Sequence, residues 1–109
     1  MPHIIVEYSP ALEPDIPFLL ASLHETLAAQ GVPAERIKAR GYKIEHAVVA
    51  NKGPKGTMLH ATVLLLEGRD IPTRKAYGEA LYAALKTVAP DDCATTLEMR
   101  DMTKETYSM

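Results

Sequence analysis

The sequence predicts an α+β fold in which two β-α-β units of one chain form a four-stranded mixed sheet with two helices on one face. Three observations carry this expectation. Two apolar runs, at 3–8 and 57–67, have the length and composition of buried strands, and the second is centred on Val63-Leu64-Leu65-Leu66. Each run is followed by a segment with apolar residues at helical spacing. The junctions also repeat: Asp15-Ile16-Pro17 recurs as Asp70-Ile71-Pro72, and Val32-Pro33 recurs as Ala89-Pro90.

The first strand is Ile4-Ile5-Val6 and its neighbours, opening one residue after Pro2. In the first helix, Ile16, Leu19, Leu20, Leu23 and Leu27 define one stripe. Asp15 is placed to cap it, and Pro17 sits in the first turn, where its missing N–H costs nothing. Gly31 supplies the stop and Pro33 prevents continuation. A second strand is expected over 37–49. The Gly- and Pro-rich stretch NKGPKG at 51–56 then links the halves. The third strand leads into a second helix over 72–88, faced by Ala76, Tyr77, Ala80, Leu81, Ala84, Leu85 and Val88 and capped by Asp70. A fourth strand is expected over 94–102. Strand–helix–strand connections of this length make parallel pairs. The internal repeat therefore spans about 2–50 and 57–107 within a single domain.

Composition narrows the function. The chain has 109 residues, 47% hydrophobic and 24% charged, which fits a folded domain with a small core. A formal charge of −2 and a lack of Lys/Arg runs give no nucleic-acid footprint, and no Trp with one Phe gives no stacking platform. Cys93 is alone, so no intrachain disulfide or thiol-based metal site can form, and its expected role is a buried structural thiol. No signal segment or membrane span is apparent, which points to a cytoplasmic protein. A two-layer chain leaves one sheet face open, and homo-oligomerisation is the natural cover.

Three features attract attention as chemistry. Removal of Met1 would expose Pro2 as a secondary amine at the head of an apolar strand. Partial desolvation there favours the neutral form of an amine, which is a base near neutral pH. The plain alternative is an ordinary chain end. Arg69, in Glu67-Gly68-Arg69-Asp70, lies between a buried strand and a helix start, where a guanidinium suits carboxylate binding; a solvent-facing arginine is the other reading. Arg36, Lys38, Arg40 and Lys43 enter the second strand, and Lys38 and Arg40 share a sheet face by alternation. They fit an anionic ligand or, equally, a polar outer face. His3, His24, His46 and His60 lack metal-ligand spacing, although His60 could approach the centre of the sheet. Glu7 and Glu67 mark the ends of equivalent strands, an alignment that pairs Pro2 with Thr62.

The stretches MPHIIVEYS, IKARGY and LEGRDIPTRKAYGEALYAALK resemble the 5-carboxymethyl-2-hydroxymuconate isomerases of the tautomerase superfamily. EGRD also resembles the EGRS turn of 4-oxalocrotonate tautomerase. The resemblance runs from Pro2 to about Met102. It implies a homotrimer with pseudo-sixfold packing and a cofactor-free, metal-free isomerase with a role in aromatic catabolism. The implied substrate is 5-carboxymethyl-2-hydroxymuconate or a similar unsaturated 2-hydroxy/2-oxo polycarboxylate. It further implies that Pro2 is the acid/base, and that Arg40, Arg69 and Lys38 bind substrate carboxylates and stabilise developing charge. Lys38 stands where arginine is expected, and the two differ at a bidentate site. The 47–58 stretch resembles the family poorly. Two alternatives remain: a tautomerase of another keto–enol acid such as phenylpyruvate, and a non-catalytic oligomeric binding protein of the same fold.

Overall fold

The computed structural model describes residues 1–109. The chain forms β1 (His3–Tyr8), α1 (Ile16–Ala29), β2 (Lys38–Lys43), β3 (Met58–Leu66), α2 (Ile71–Val88) and β4 (Ala94–Met102). Short 3-10 turns at Pro10–Asp15, Ala34–Arg36, Ala50–Lys55 and Lys104–Thr106 join or end these elements. No helix is long and apolar enough to cross a membrane.

Alternation along the strands sets the two sides of the sheet. In β1 the side chains of Ile4, Val6 and Tyr8 are buried, and in β3 those of Leu59, Ala61, Val63 and Leu65. Ile16, Leu19, Leu23 and Leu27 of α1 and Leu81, Ala84 and Leu85 of α2 close over them in one core. Each buried Leu, Ile or Val among them contributes about 1.5–3 kcal/mol by leaving water. Both helices therefore cover one face, as the sequence predicts.

Strand order is β2-β1-β3-β4. β1 runs parallel to β2, β3 runs parallel to β4, and the central β1–β3 pair is antiparallel. This is the expected four-stranded mixed sheet of two β-α-β units. The uncovered face is less apolar than a bare sheet surface would suggest. By register it carries Ile5, Leu64 and Leu66, but also His3, Glu7, Arg40, His60, Thr62, Glu98 and Arg100. His60 is tied to the hydroxyls of Thr96 (2.7 Å) and Thr62 (3.1 Å), so it serves the sheet surface.

Three expectations need correction. β2 stops at Lys43 rather than near Val49, because β1 ends at Tyr8 and an edge strand has no other partner. Ile44 makes the last link, its N–H donating to the Tyr8 carbonyl at 2.8 Å. The following stretch is a 3-10 turn held by buried Val49, whose N–H reaches the Gly53 carbonyl at 2.9 Å. Second, Thr62 is not the counterpart of Pro2. Burial falls on even positions in β1 and on odd positions in β3, so Thr62 lies on the opposite face from Pro2. Matching the strand starts His3 and Met58 makes the counterpart Thr57, which is likewise inside the chain.

The third correction concerns the helix caps. Asp70 has extended backbone (ψ 170) and its carboxylate accepts the Thr73 N–H at 2.9 Å, as expected. Asp15 does not cap, since its backbone is already helical (φ −92, ψ −8) at the end of a 3-10 turn. That turn supplies the acceptor itself, with the Ile16 N–H bonded to the Glu13 carbonyl. Gly31 ends α1 at φ +102, a left-handed conformation that favours glycine.

The caps generate a paired prediction. The bond from Thr73 holds the Asp70 carboxyl below its usual range, so its stabilisation is present above the unfolded carboxyl pKa and lost as pH falls through the folded one. Asp70→Ala should lower the urea midpoint at pH 7, the deficit closing at acid pH, while Asp15→Ala leaves the midpoint unmoved at both. Equal effects from the two would contradict the assignment.

Candidate active site

Pro2 is buried at the head of β1. Its carbonyl accepts the Lys38 N–H at 3.1 Å, the first rung of the β1–β2 ladder. Register does the rest: His3 lies opposite Lys38 and Ile5 opposite Arg40. Lys38 and Arg40 therefore share the open face with His3, next to the chain head. Lys43 pairs with Tyr8 at the far end of the strand and takes no part.

Arg69 reaches the same end of the molecule by a different route. β3 runs antiparallel to β1, so its C-terminal end lies beside the start of β1. Gly68 turns the chain there at φ +125, a conformation that costs glycine little. Half-buried Arg69 then donates to the Leu66 carbonyl at 3.5 Å and stacks 5.8 Å from the Tyr77 ring centroid. The aromatic contact holds the guanidinium without neutralising it.

The electrostatics of this corner are one-sided. Burial holds the Met1 amine below the ordinary α-amino value, and Arg36, Arg69 and Lys38 depress it further. His3 is lowered as well, by burial first and then by Arg40, Lys38 and the terminal amine. Arg36, Lys38 and Arg69 thus all act on the chain head, while Arg40 acts on the residue beside it. None of the four takes part in an ion pair within 4.0 Å.

All four residues expected from the sequence meet here: Pro2, Lys38, Arg40 and Arg69. Arg36 joins them from the turn before β2, closer in effect to the amine than Arg40. Two further participants are not singled out for this site by the sequence. His3 accepts from Arg40 Nη1 at Nδ1 (3.0 Å), and its Nε2 lies 2.7 Å from the Tyr107 hydroxyl. His3 is readable from its place beside Pro2, whereas nothing in the pattern of the C-terminal residues points to Tyr107.

The corner is a rim, not a pocket. The largest groove, about 750 Å³ between α2 and β4, is lined by Ile71, Arg74, Tyr82, Leu97 and Met99 among others, and two smaller hollows flank the 44–57 stretch. None includes Pro2, Lys38, Arg40 or Arg69.

The architecture defines the class, a tautomerase-like fold. A crystal structure of a 5-carboxymethyl-2-hydroxymuconate isomerase from Deinococcus radiodurans R1 superposes with a TM-score of 0.89 and 27% identity, over 99% of this chain and 87% of that one. A fused 4-OT symmetric trimer shares the fold at a TM-score of 0.74 and 23% identity, over 98% of this chain and 90% of that one. The 5-carboxymethyl-2-hydroxymuconate Delta-isomerase of Escherichia coli is 34% identical over 90 residues, covering 80% of this chain and 71% of the relative. The sequence profile of the 5-carboxymethyl-2-hydroxymuconate isomerase family matches residues 2–108, and the chain belongs to that family of isomerases.

The cation cluster can be read out directly. In a 15N NMR titration of protein that retains Met1, the terminal nitrogen should titrate below the ordinary range of roughly 7.7–8.0. Arg36→Gln should raise that pKa most, Arg69→Gln next and Lys38→Gln least. An ordinary pKa, unmoved by all three, would show that the cations do not converge on the chain head.

Proposed function

We propose that the chain, once Met1 is removed, catalyses a cofactor-free proton shift with the Pro2 secondary amine as acid/base. The substrate is 5-carboxymethyl-2-hydroxymuconate or a similar unsaturated 2-hydroxy polycarboxylate. The observation that carries this reading is the buried head of β1, with Arg36, Lys38 and Arg69 acting together on the Met1 amine one residue before it. A neutral amine among cations is a base, and cations beside a base select an acid with several negative charges.

The steps follow from charge. Neutral Pro2 takes the proton of the 2-hydroxyl group, leaving a dienolate whose charge spreads over oxygen and the conjugated carbons. The prolyl ammonium returns that proton at a carbon further along the chain, the C=C bond moves, and the 2-oxo product leaves with Pro2 neutral again. Arg40 and Arg69 hold carboxylates, with a bidentate geometry open to each guanidinium. Lys38 and Arg36 contribute point charge that stabilises the dienolate more than the neutral enol. Phenylpyruvate has one carboxylate, and a cluster of four cations favours a polycarboxylate over it.

The rim geometry suggests how the site closes. Pro2, Lys38, Arg40 and Arg69 line no cavity of one chain, and desolvation strengthens every charge interaction the reaction needs. A homotrimer, the assembly carried by the fused 4-OT relative, would bring a second chain against this rim and against the half-apolar open face.

The kinetic test uses ultraviolet spectroscopy with a panel of 2-hydroxymuconates. Pro2→Ala or retention of Met1 should cut kcat/KM by at least about 10²-fold, the scale of general acid–base catalysis. The burial and cations that lower the Met1 amine should act on the adjacent Pro2 amine as well, so kcat/KM should rise with pH through an acid limb lying below the ordinary α-amino range and then level off. Full activity in protein shown by intact mass to retain Met1 would refute the mechanism. Preference for phenylpyruvate over every polycarboxylate would refute the substrate class.

A further inference from the structure

The C-terminal segment leaves β4 at the edge of the sheet and returns to its centre. The Glu67 N–H donates to the Met102 carbonyl at 3.0 Å, and the Glu67 carboxylate in turn accepts the Lys104 N–H at 2.6 Å. A 3-10 turn at Lys104–Thr106 then carries the chain past β3 to β1. There the Tyr107 ring meets the His3 ring edge-on, 5.9 Å between centroids at 75°, with its hydroxyl 2.7 Å from Nε2. Contacts between residues 104 positions apart, anchored by a carboxylate on the way, make a built connection.

The protons in this connection are fixed by valence. An arginine can only donate, so His3 Nδ1 facing Arg40 Nη1 at 3.0 Å must be the acceptor. The neutral ring then carries its proton on Nε2 and donates it to the Tyr107 oxygen. The groups facing His3 are Arg40 and Lys38 from β2, Tyr107 from the tail and the chain-head amine. Opposite it on β3 stands Leu64, which has no charge. Two fixed cations, Arg40 and Lys38, and no carboxylate keep the ring neutral, the form the Arg40 bond requires.

We propose that His3 and Tyr107 are positioning residues for Arg40, the tail acting through the imidazole to fix where the guanidinium meets a substrate carboxylate. This rests on the function proposed above. Without Tyr107 the ring loses its Nε2 partner and is free to turn or change tautomer. Arg40 then loses its only side-chain acceptor and spreads over rotamers. The cost falls on carboxylate binding, whereas the proton transfer at Pro2 is untouched at the atoms that react.

The test separates this proposal from the mechanism it serves by measuring binding without turnover. Muconate, a dicarboxylate that lacks the 2-hydroxyl proton, is titrated into wild type, Tyr107→Phe and His3→Phe, with 15N NMR of the imidazole in the first two. The wild type should show the Nε2–H tautomer. Tyr107→Phe, which keeps the ring contact and removes only the hydroxyl, should raise Kd about five- to tenfold, the scale of one lost neutral hydrogen bond. His3→Phe should raise it at least as much. In an Arg40→Gln background, adding Tyr107→Phe should change Kd no further. An Nδ1–H tautomer, or an unchanged Kd in Tyr107→Phe, would overturn the positioning role whatever Pro2→Ala does. Conversely, full turnover in Pro2→Ala with the expected tautomer and Kd changes would overturn the mechanism and leave the carboxylate-positioning network standing.

Discussion

The hydrogen bond from the Lys38 N–H to the Pro2 carbonyl sets the register on which the candidate site depends. With that rung in place, Lys38 and Arg40 project onto the open face beside the chain head, and Ile37 and Ala39 turn toward the helices. A slip of one residue would exchange the two sets, sending two cations into a core of Leu and Ile. The apolar face of β2 and the cationic face therefore enforce each other. Stability and chemistry here share one constraint.

The same constraint explains why two β-α-β units of matching topology differ in chemistry. The N-terminal unit starts at a chain end, and its strand opens with a residue whose nitrogen can be a free amine. In the C-terminal unit the matching position is Thr57, whose nitrogen is an ordinary amide. In exchange, that unit contributes the Gly68 turn and Arg69, delivered to the shared corner by the antiparallel β1–β3 pair. One unit supplies the proposed base and the two cations of β2, the other the stacked guanidinium. Gathering like charges is unfavourable to folding in itself, and the corner holds no carboxylate partner for any of the four. The cost makes sense if the missing anions arrive with the substrate.

Much of this is legible without any coordinates. β1, β4 and both helices follow from period and junction residues, because their ends are set locally by proline, glycine or a capping carboxylate. β2 is not, since its length is fixed by where β1 ends, a non-local fact. Asp15 has the same sequence context as Asp70 and a different role, because the preceding 3-10 turn already satisfies the helix start. Pro2, Lys38, Arg40 and Arg69 stand out as candidates by residue type and placement, and the family resemblance gives each a role. Their convergence needs the antiparallel pairing of the two halves. Tyr107 is beyond reach, for its partner lies at the opposite end of the sequence and no periodicity links them.

Selective alkylation tests the central claim, that a neutral prolyl amine sits in a corner built for carboxylates. An electrophilic unsaturated keto acid is added at neutral pH to protein shown by intact mass to lack Met1, and the adduct is located by peptide mapping. The account predicts one adduct per chain, on Pro2, with isomerase activity lost in proportion to modification and with protection by a polycarboxylate. Labelling elsewhere in the chain, or full activity after Pro2 is completely modified, would contradict it.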